Sequence, residues 1–232
     1  MPDSTIYAET SGNADDGTIY NTSSSDWATA RGDASTSGTI RNVGLTTNSV
    51  GVYNRKTTGG RGGGDTWFCY RSYFSFDVSG ESGTVDSATV KLYLDNYGSL
   101  GVPSSVRLVE ATSLAGSTAD FGNCFSSGST LGTDMVGGMV AVSITAQYHD
   151  FELNSDGITA LNNAIGSGQF QVCLMGSAFD YSDLDPGSGS TYTRIHVTYS
   201  EYGGTTRDPK IEIDYVGSVA VTHNATFFGS NF

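Results

Sequence analysis

Between residues 71 and 94 the chain alternates apolar and polar positions with a period of two, first in Arg71-Ser-Tyr-Phe-Ser-Phe-Asp77 and again in Asp86-Ser-Ala-Thr-Val-Lys-Leu-Tyr-Leu94. Successive side chains of a strand point to opposite faces, so Phe74, Phe76 and Val78 share one face, and Ala88, Val90, Leu92 and Leu94 share the inner face of a second strand. Ser79-Gly80-Glu81-Ser82-Gly83 between them tolerates turns and buries little. Together they predict a half-buried hairpin in the core, with Phe74, Phe76, Val90 and Leu92 inward.

Shorter stretches of strand character flank this pair, at 4–8, 18–20, 27–31, 38–43 and 49–53 before it and at 105–110, 139–144, 170–175, 192–199 and 211–215 after it. Residues 111–138 read as irregular, with Gly, Ser and Thr between scattered apolar positions. Asn154 or Ser155 caps a helix that runs to Ile165, with Leu161 and Ile165 on one face and Gly166 as its stop. It is the one helix longer than a turn that the pattern predicts. The Gly-rich run at 57–65 is followed neither by Lys-Ser/Thr nor by a helix, so it reads as a hairpin loop and not as a phosphate cradle. No solenoid-length repeat or heptad run is present. The fold class expected is all-β: an antiparallel sandwich of jelly-roll type over residues 1–215, with one short helix near 155–165.

The same segments resemble the β-sandwich modules called DNRLRE-domain proteins. The resemblance rests on the Arg71 to Asp77 and Ser87 to Leu94 runs, the strand and helix of Phe151-Glu-Leu-Asn-Ser-Asp-Gly-Ile-Thr-Ala-Leu-Asn-Asn-Ala-Ile165, the runs Phe170-Gln-Val-Cys-Leu-Met175 and Tyr192-Thr-Arg-Ile-His-Val-Thr-Tyr199, and the closing Asp208-Pro-Lys-Ile-Glu-Ile-Asp-Tyr215. It covers about residues 4–215, and the six-letter signature that names those modules is missing. With the early Trp27-Ala-Thr-Ala-Arg31, the chain looks most like structural proteins of tailed bacteriophages. That resemblance implies a virion protein on the particle exterior. A capsid decoration protein made in the host cytoplasm and bound to the major capsid protein is the leading expectation, with homo-oligomers. A tail fibre or receptor-binding protein is the alternative within the virion, and a carbohydrate-binding module or adhesin the alternative outside it.

Composition narrows the partners. Twenty-four acidic residues against eleven Lys and Arg leave a net charge of −13, which repels a phosphate backbone over most of the surface and argues against nucleic acid. No run approaches the roughly 18 apolar residues of a membrane-spanning helix, and the chain opens at Met1 without a cationic, apolar leader, so no membrane partner is expected. Cys69, Cys124 and Cys173 have no metal-binding spacing, and the strand positions of Cys69 and Cys173 suit buried thiols.

Candidate chemistry is sparse. His149, His196 and His223 have no ligand spacing, His196 reads as solvent-facing, and no Ser, His and acid set or GxSxG elbow can be assembled, so neither catalysis nor a cofactor is expected. Asp180, Asp183 and Asp185 put three carboxylates in one loop, but their spacing is not that of a calcium loop and they read as a solvated turn. Arg71, alone in an aromatic strand, calls for a carboxylate on another strand. Tyr73, Tyr93, Tyr97, Tyr181, Tyr192 and Tyr202 are outward or loop candidates for stacking against a glycan. After the closing strand, residues 216–232 contain Val219, Val221, Phe227, Phe228 and Phe232 but no Lys, Arg, Asp or Glu. This stretch is expected to be an apolar arm that packs on a neighbouring subunit or on the capsid shell, with Phe227, Phe228 and Phe232 contacting the partner; a last strand folded on its own sheet is the alternative.

Overall fold

The computed structural model describes residues 2–9, 16–43, 49–60, 63–96, 98–166, 168–187, 191–200 and 205–217. The assembly contacts expected of Phe227, Phe228 and Phe232 lie outside the described residues, as do Tyr97, Tyr202 and His223. The strands are β1 (Ser4–Tyr7), β2 (Gly17–Ser23), β3 (Ile40–Val43), β4 (Ser49–Thr57), β5 (Thr66–Asp77), β6 (Val85–Asn96) and β7 (Ser105–Glu110). There follow β8 (Phe125–Ser127), β9 (Thr130–Leu131), β10 (Val140–Ala141), β11 (Gln147–Glu152), β12 (Gln169–Gly176), β13 (Tyr192–Val197) and β14 (Lys210–Tyr215). Among the described residues there are also two α-helices, α1 (Trp27–Arg31) and α2 (Ser155–Ala164), a 3-10 turn at Thr118–Gly122 and a π-turn at Ser177–Tyr181. The fold is all-β, and every strand pair is antiparallel.

The path β1-β14-β6-β13-β4-β5-β12-β7-β10 is hydrogen-bonded throughout, with β11 added to β6 and β2 and β3 added beside β5. The two twelve-residue strands organise it. β5 pairs with β4 along its first half and with β12 along its second, while β2 lines its other edge. β6 is held by β11, β13 and β14 and makes no ladder with β5. The hairpin expected at 71–94 is therefore an arch: its alternation is right, but the connection carries the chain from one layer to the other. Phe74 and Phe76 then meet Val90 and Leu92 across the core instead of along a ladder, and all four are fully buried. The connection needs glycine at Gly83, where φ is 111° and an added Cβ would come within 3.2 Å of the Tyr215 ring.

Other expectations shift in instructive ways. Residues 27–31 form α1 and not a strand, because the Asp26 carboxylate accepts from the Thr29 amide at 2.7 Å and Gly32, at φ 70°, ends the turn. Only Val140–Ala141 of the 139–144 candidate pairs, while Met139 and Ile144 stand largely exposed. The irregular stretch 111–138 contains the 3-10 turn and the small β8–β9 hairpin. α2 forms where expected, with Asn154 accepting from the amides of Asp156 and Gly157 and Leu161 buried. The Gly-rich run does close the β4–β5 hairpin, with Thr57 opposite Thr66.

Packing divides the interior in two. The first core lies between the layers and gathers Phe74, Phe76, Val90, Leu92, Leu108, Phe151, Leu174, Ile195 and Ile211. The second lies on the other face of β5 and β12, where Trp67, Cys69, Tyr73, Cys173 and Met175 are covered by Trp27 of α1, Phe121, Cys124, Phe125 and Phe179. From Val172 to Gly176 β12 is buried on both faces, which matches the apolar run Val172-Cys-Leu-Met175 there.

Candidate functional site

The second core is built around a charge. Arg71 on β5 is completely buried, and its guanidinium donates through Nε and Nη2 to the two carboxylate oxygens of Asp180, each at 2.7 Å. Nη2 also donates to the Arg31 carbonyl at 2.8 Å and Nη1 to the Phe121 carbonyl at 3.0 Å. The rings of Phe121 and Phe125 lie 4.2 and 4.9 Å from its guanidinium carbon. One side chain thereby fixes the end of α1, the 3-10 turn, the β8–β9 hairpin and the π-turn onto β5. Arg31 adds a bond from its Nε to the Asp180 carbonyl at 2.7 Å. Burial works against the Arg71 charge, but the Asp180 carboxylate outweighs it and holds the guanidinium pKa well above its usual value.

The expected solvated turn at 180–185 is thus a correction. Asp180 is fully buried and engaged by Arg71, from a turn and not from a neighbouring strand; Asp183 is mostly exposed, 3.5 Å from Arg31 Nε; Asp185 accepts from the Trp67 indole at 3.1 Å. Arg31 Nε also lies 3.5 Å from Asp180 Oδ1, so Asp180 and Asp183 share Arg31 while Asp185 serves Trp67. The three cysteines converge in the same core as free, buried thiols, and burial pushes the Cys69 and Cys173 thiols well up, away from the reactive thiolate. Tyr73, expected to face outward, is buried here and donates to the Phe121 carbonyl at 2.7 Å. His149 on β11 is buried and His196 half-buried rather than solvent-facing, and burial lowers both pKa values.

A second arrangement is open to solvent. The face of β5 that carries Phe74 and Phe76 into the first core carries Phe68 and Tyr70 along its first half. There the register places Arg194, Tyr53, Tyr70, Tyr20 and Ile40 side by side across β13, β4, β5, β2 and β3. The next row runs Leu100, Tyr192, Arg55, Phe68 and Thr22. Tyr199 closes the first core at the boundary, its hydroxyl bonded to those of Ser72 and Thr18 and its ring stacked on Phe74. Beyond it the rings are only half-buried, and Ile40 and Leu100 are exposed.

The rings lean on each other. Tyr20 and Tyr70 stack with centroids 4.3 Å apart, Tyr53 meets Tyr70 edge-on at 5.4 Å, and Arg55 lies over Tyr192 at 5.2 Å while donating to the Tyr53 hydroxyl at 3.1 Å. Burial and the neighbouring phenols push the Tyr70 pKa up to about 12, so its hydroxyl stays protonated near neutrality. Val50, Tyr53, Tyr70 and Arg194 line a hollow of about 240 Å³. Neither row contains an acidic residue, in a chain with 24 of them. Of the tyrosines expected to present a surface, Tyr192 belongs to this face; Tyr93 pairs with Tyr148, and Tyr181 lies under Arg107. Tyr20, Tyr53 and Tyr70 went unmarked because alternation identifies a face but not what covers it. Comparison with protein-family models gave no match, and comparison with curated proteins gave none either.

Proposed function

We propose that this chain is a non-enzymatic structural protein on the exterior of a virus particle, a decoration protein that binds the assembled shell of a tailed phage. The observation that supports it is the sealed hub of the second core. The groups with most chemical potential, a guanidinium, a carboxylate and three thiols, are enclosed, and the guanidinium and carboxylate lock surface excursions onto the sheet. An acidic domain with its loops tied down in this way suits a part that must stay soluble until it meets its partner. The resemblance to phage structural modules supplies the setting, and the major capsid protein is the partner proposed.

Quantitative mass spectrometry and cryo-imaging of purified particles test this reading. A copy number that follows capsid symmetry, with density on the shell, is expected. A few copies at the tail tip would favour the receptor-binding alternative, and absence from particles would overturn the proposal. The aromatic face gives a glycan-binding reading its one observation, but Tyr20 and Tyr70 spend a ring face on each other and Arg55 occupies one face of Tyr192.

A further inference from the structure

We propose that the open aromatic face of β13, β4, β5 and β2 is the docking site for the apolar segment 218–232 of this same chain. On β5, positions 74 and 76 of this face are roofed by the opposite layer, whereas Phe68 and Tyr70 remain half-buried. Half-buried, mutually stacked rings flanked by exposed Ile40 and Leu100 make an apolar patch that burial under a further layer would stabilise.

The choice of occupant follows from chemistry and length. Residues 218–232 contain Val219, Val221, Phe227, Phe228 and Phe232 and not one Lys, Arg, Asp or Glu, so water solvates them poorly. An acidic surface would suit Arg55 and Arg194 but would strand the rings against charge. An uncharged Val and Phe segment covers the rings, and its backbone carbonyls can accept from the arginines. The chain leaves β14 at Tyr215, and Val216 donates to the Thr84 carbonyl beside the arch that follows β5. Tyr70 lies seven residues before Asp77 on that strand, about 23 Å away, and fifteen extended residues reach about 50 Å, so the segment can cover the face of its own molecule or of a neighbour. This proposal concerns the isolated protein and does not depend on where the protein sits in a particle.

Photocrosslinking of the full chain tests it. Phe228 is replaced by p-benzoylphenylalanine, the purified protein is irradiated, and crosslinked peptides are mapped by mass spectrometry. Crosslinks into strands β4, β5 or β13 around Tyr53, Tyr70 and Arg194 are expected; the intact mass reads whether the segment is donated within one molecule or between two. Tyr53→Ser should reduce that crosslink about tenfold, as loss of an aromatic anchor does. Arg55→Ala, at the edge of the face, is the second variant in case Tyr53→Ser fails to melt cooperatively. Crosslinks confined to other surfaces, no crosslink above the level in urea, or an unchanged yield in a folded face variant would each overturn the proposal.

Discussion

The two cores of this protein share strands β5 and β12 but are held together by different physics. The first is apolar side chain against apolar side chain between two layers, and the apolar area removed from water sets its strength. The second encloses an ion pair and binds four separate excursions of the chain to the back of one sheet. Burying two charges is costly, and attraction within the pair repays that cost only with complete hydrogen bonding. Here the bonding is nearly complete: four donor contacts from Arg71 and both Asp180 oxygens used. The first core therefore supplies folding energy, while the second converts irregular loops into one defined surface.

Removing one partner of the pair should break the second core most severely. Asp180→Ala leaves Arg71 buried without a counterion, and a loss of about 3–5 kcal/mol in chemical denaturation is expected. The double substitution Arg71→Met with Asp180→Leu removes both charges and should recover most of that loss. Recovered stability accompanied by faster amide exchange in residues 118–131 would show that the pair specifies the covering loops. A double variant no more stable than Asp180→Ala would show that carbonyl contacts, not charge balance, dominate.

Phe76→Ala tests the first core, and the expected cost is also about 3–5 kcal/mol, from lost transfer energy and a cavity between the layers. Its signature differs, because no distant substitution should rescue it. A cost below about 1 kcal/mol would mean that the arch between β5 and β6 collapses freely and that the layers are not closely packed there.

The first core was legible along the sequence because period two is a local signal: Phe74, Phe76, Val90 and Leu92 could be assigned inward from their neighbours alone. What the alternation could not decide is pairing, since a five-residue Gly and Ser connection serves a hairpin or an arch equally well. The second core left less trace. Arg71 and Asp180 are 109 residues apart, and the carboxylate reads locally as part of a polar loop. α1 was legible in principle, through Asp26 as a cap and Gly32 as a stop, but five residues with a β-like alternation masked it. The aromatic face illustrates the same limit, because Tyr20, Tyr53 and Tyr70 look like ordinary strand residues until the register aligns them.

A smaller effect is expected at the rim of the first core. Asn154 caps α2 by accepting from the amides of Asp156 and Gly157 and ties it to the irregular stretch 111–138 by donating to the Asp134 carbonyl at 2.8 Å. Asn154→Ala should cost about 0.5–2 kcal/mol, while Asn154→Asp, which keeps the cap but loses the donor, should cost less. Equal losses in the two variants would shift the role of Asn154 from capping to the Asp134 tether.

The smallest effect separates a buried polar group with a partner from one without. His149 is buried beside the first core, and among the described residues its Nε2 has no hydrogen-bond partner, unlike the guanidinium of Arg71 with its four donor contacts. Burial lowers the His149 pKa below its usual 6.5, against the opposing pull of the Ala141 carbonyl and Asp150. A lowered histidine pKa means that the unfolded chain binds the proton more readily, so stability is full above about pH 6.5 and declines as pH falls through that value toward the folded pKa. The carboxylates of Asp26, Asp77 and Glu212 are also held low, but they start from 3.8 to 4.5 and lose their contribution in a more acidic window. Melting temperatures between pH 7.5 and 5.5 should therefore fall in the native protein, and His149→Gln should flatten part of that slope. His196, half-buried with its pKa lowered by the same cause, should contribute a further part in His196→Gln. An unchanged slope in the double variant would show that neither ring resists protonation, and that the first core tolerates a charge where the second requires its counterion.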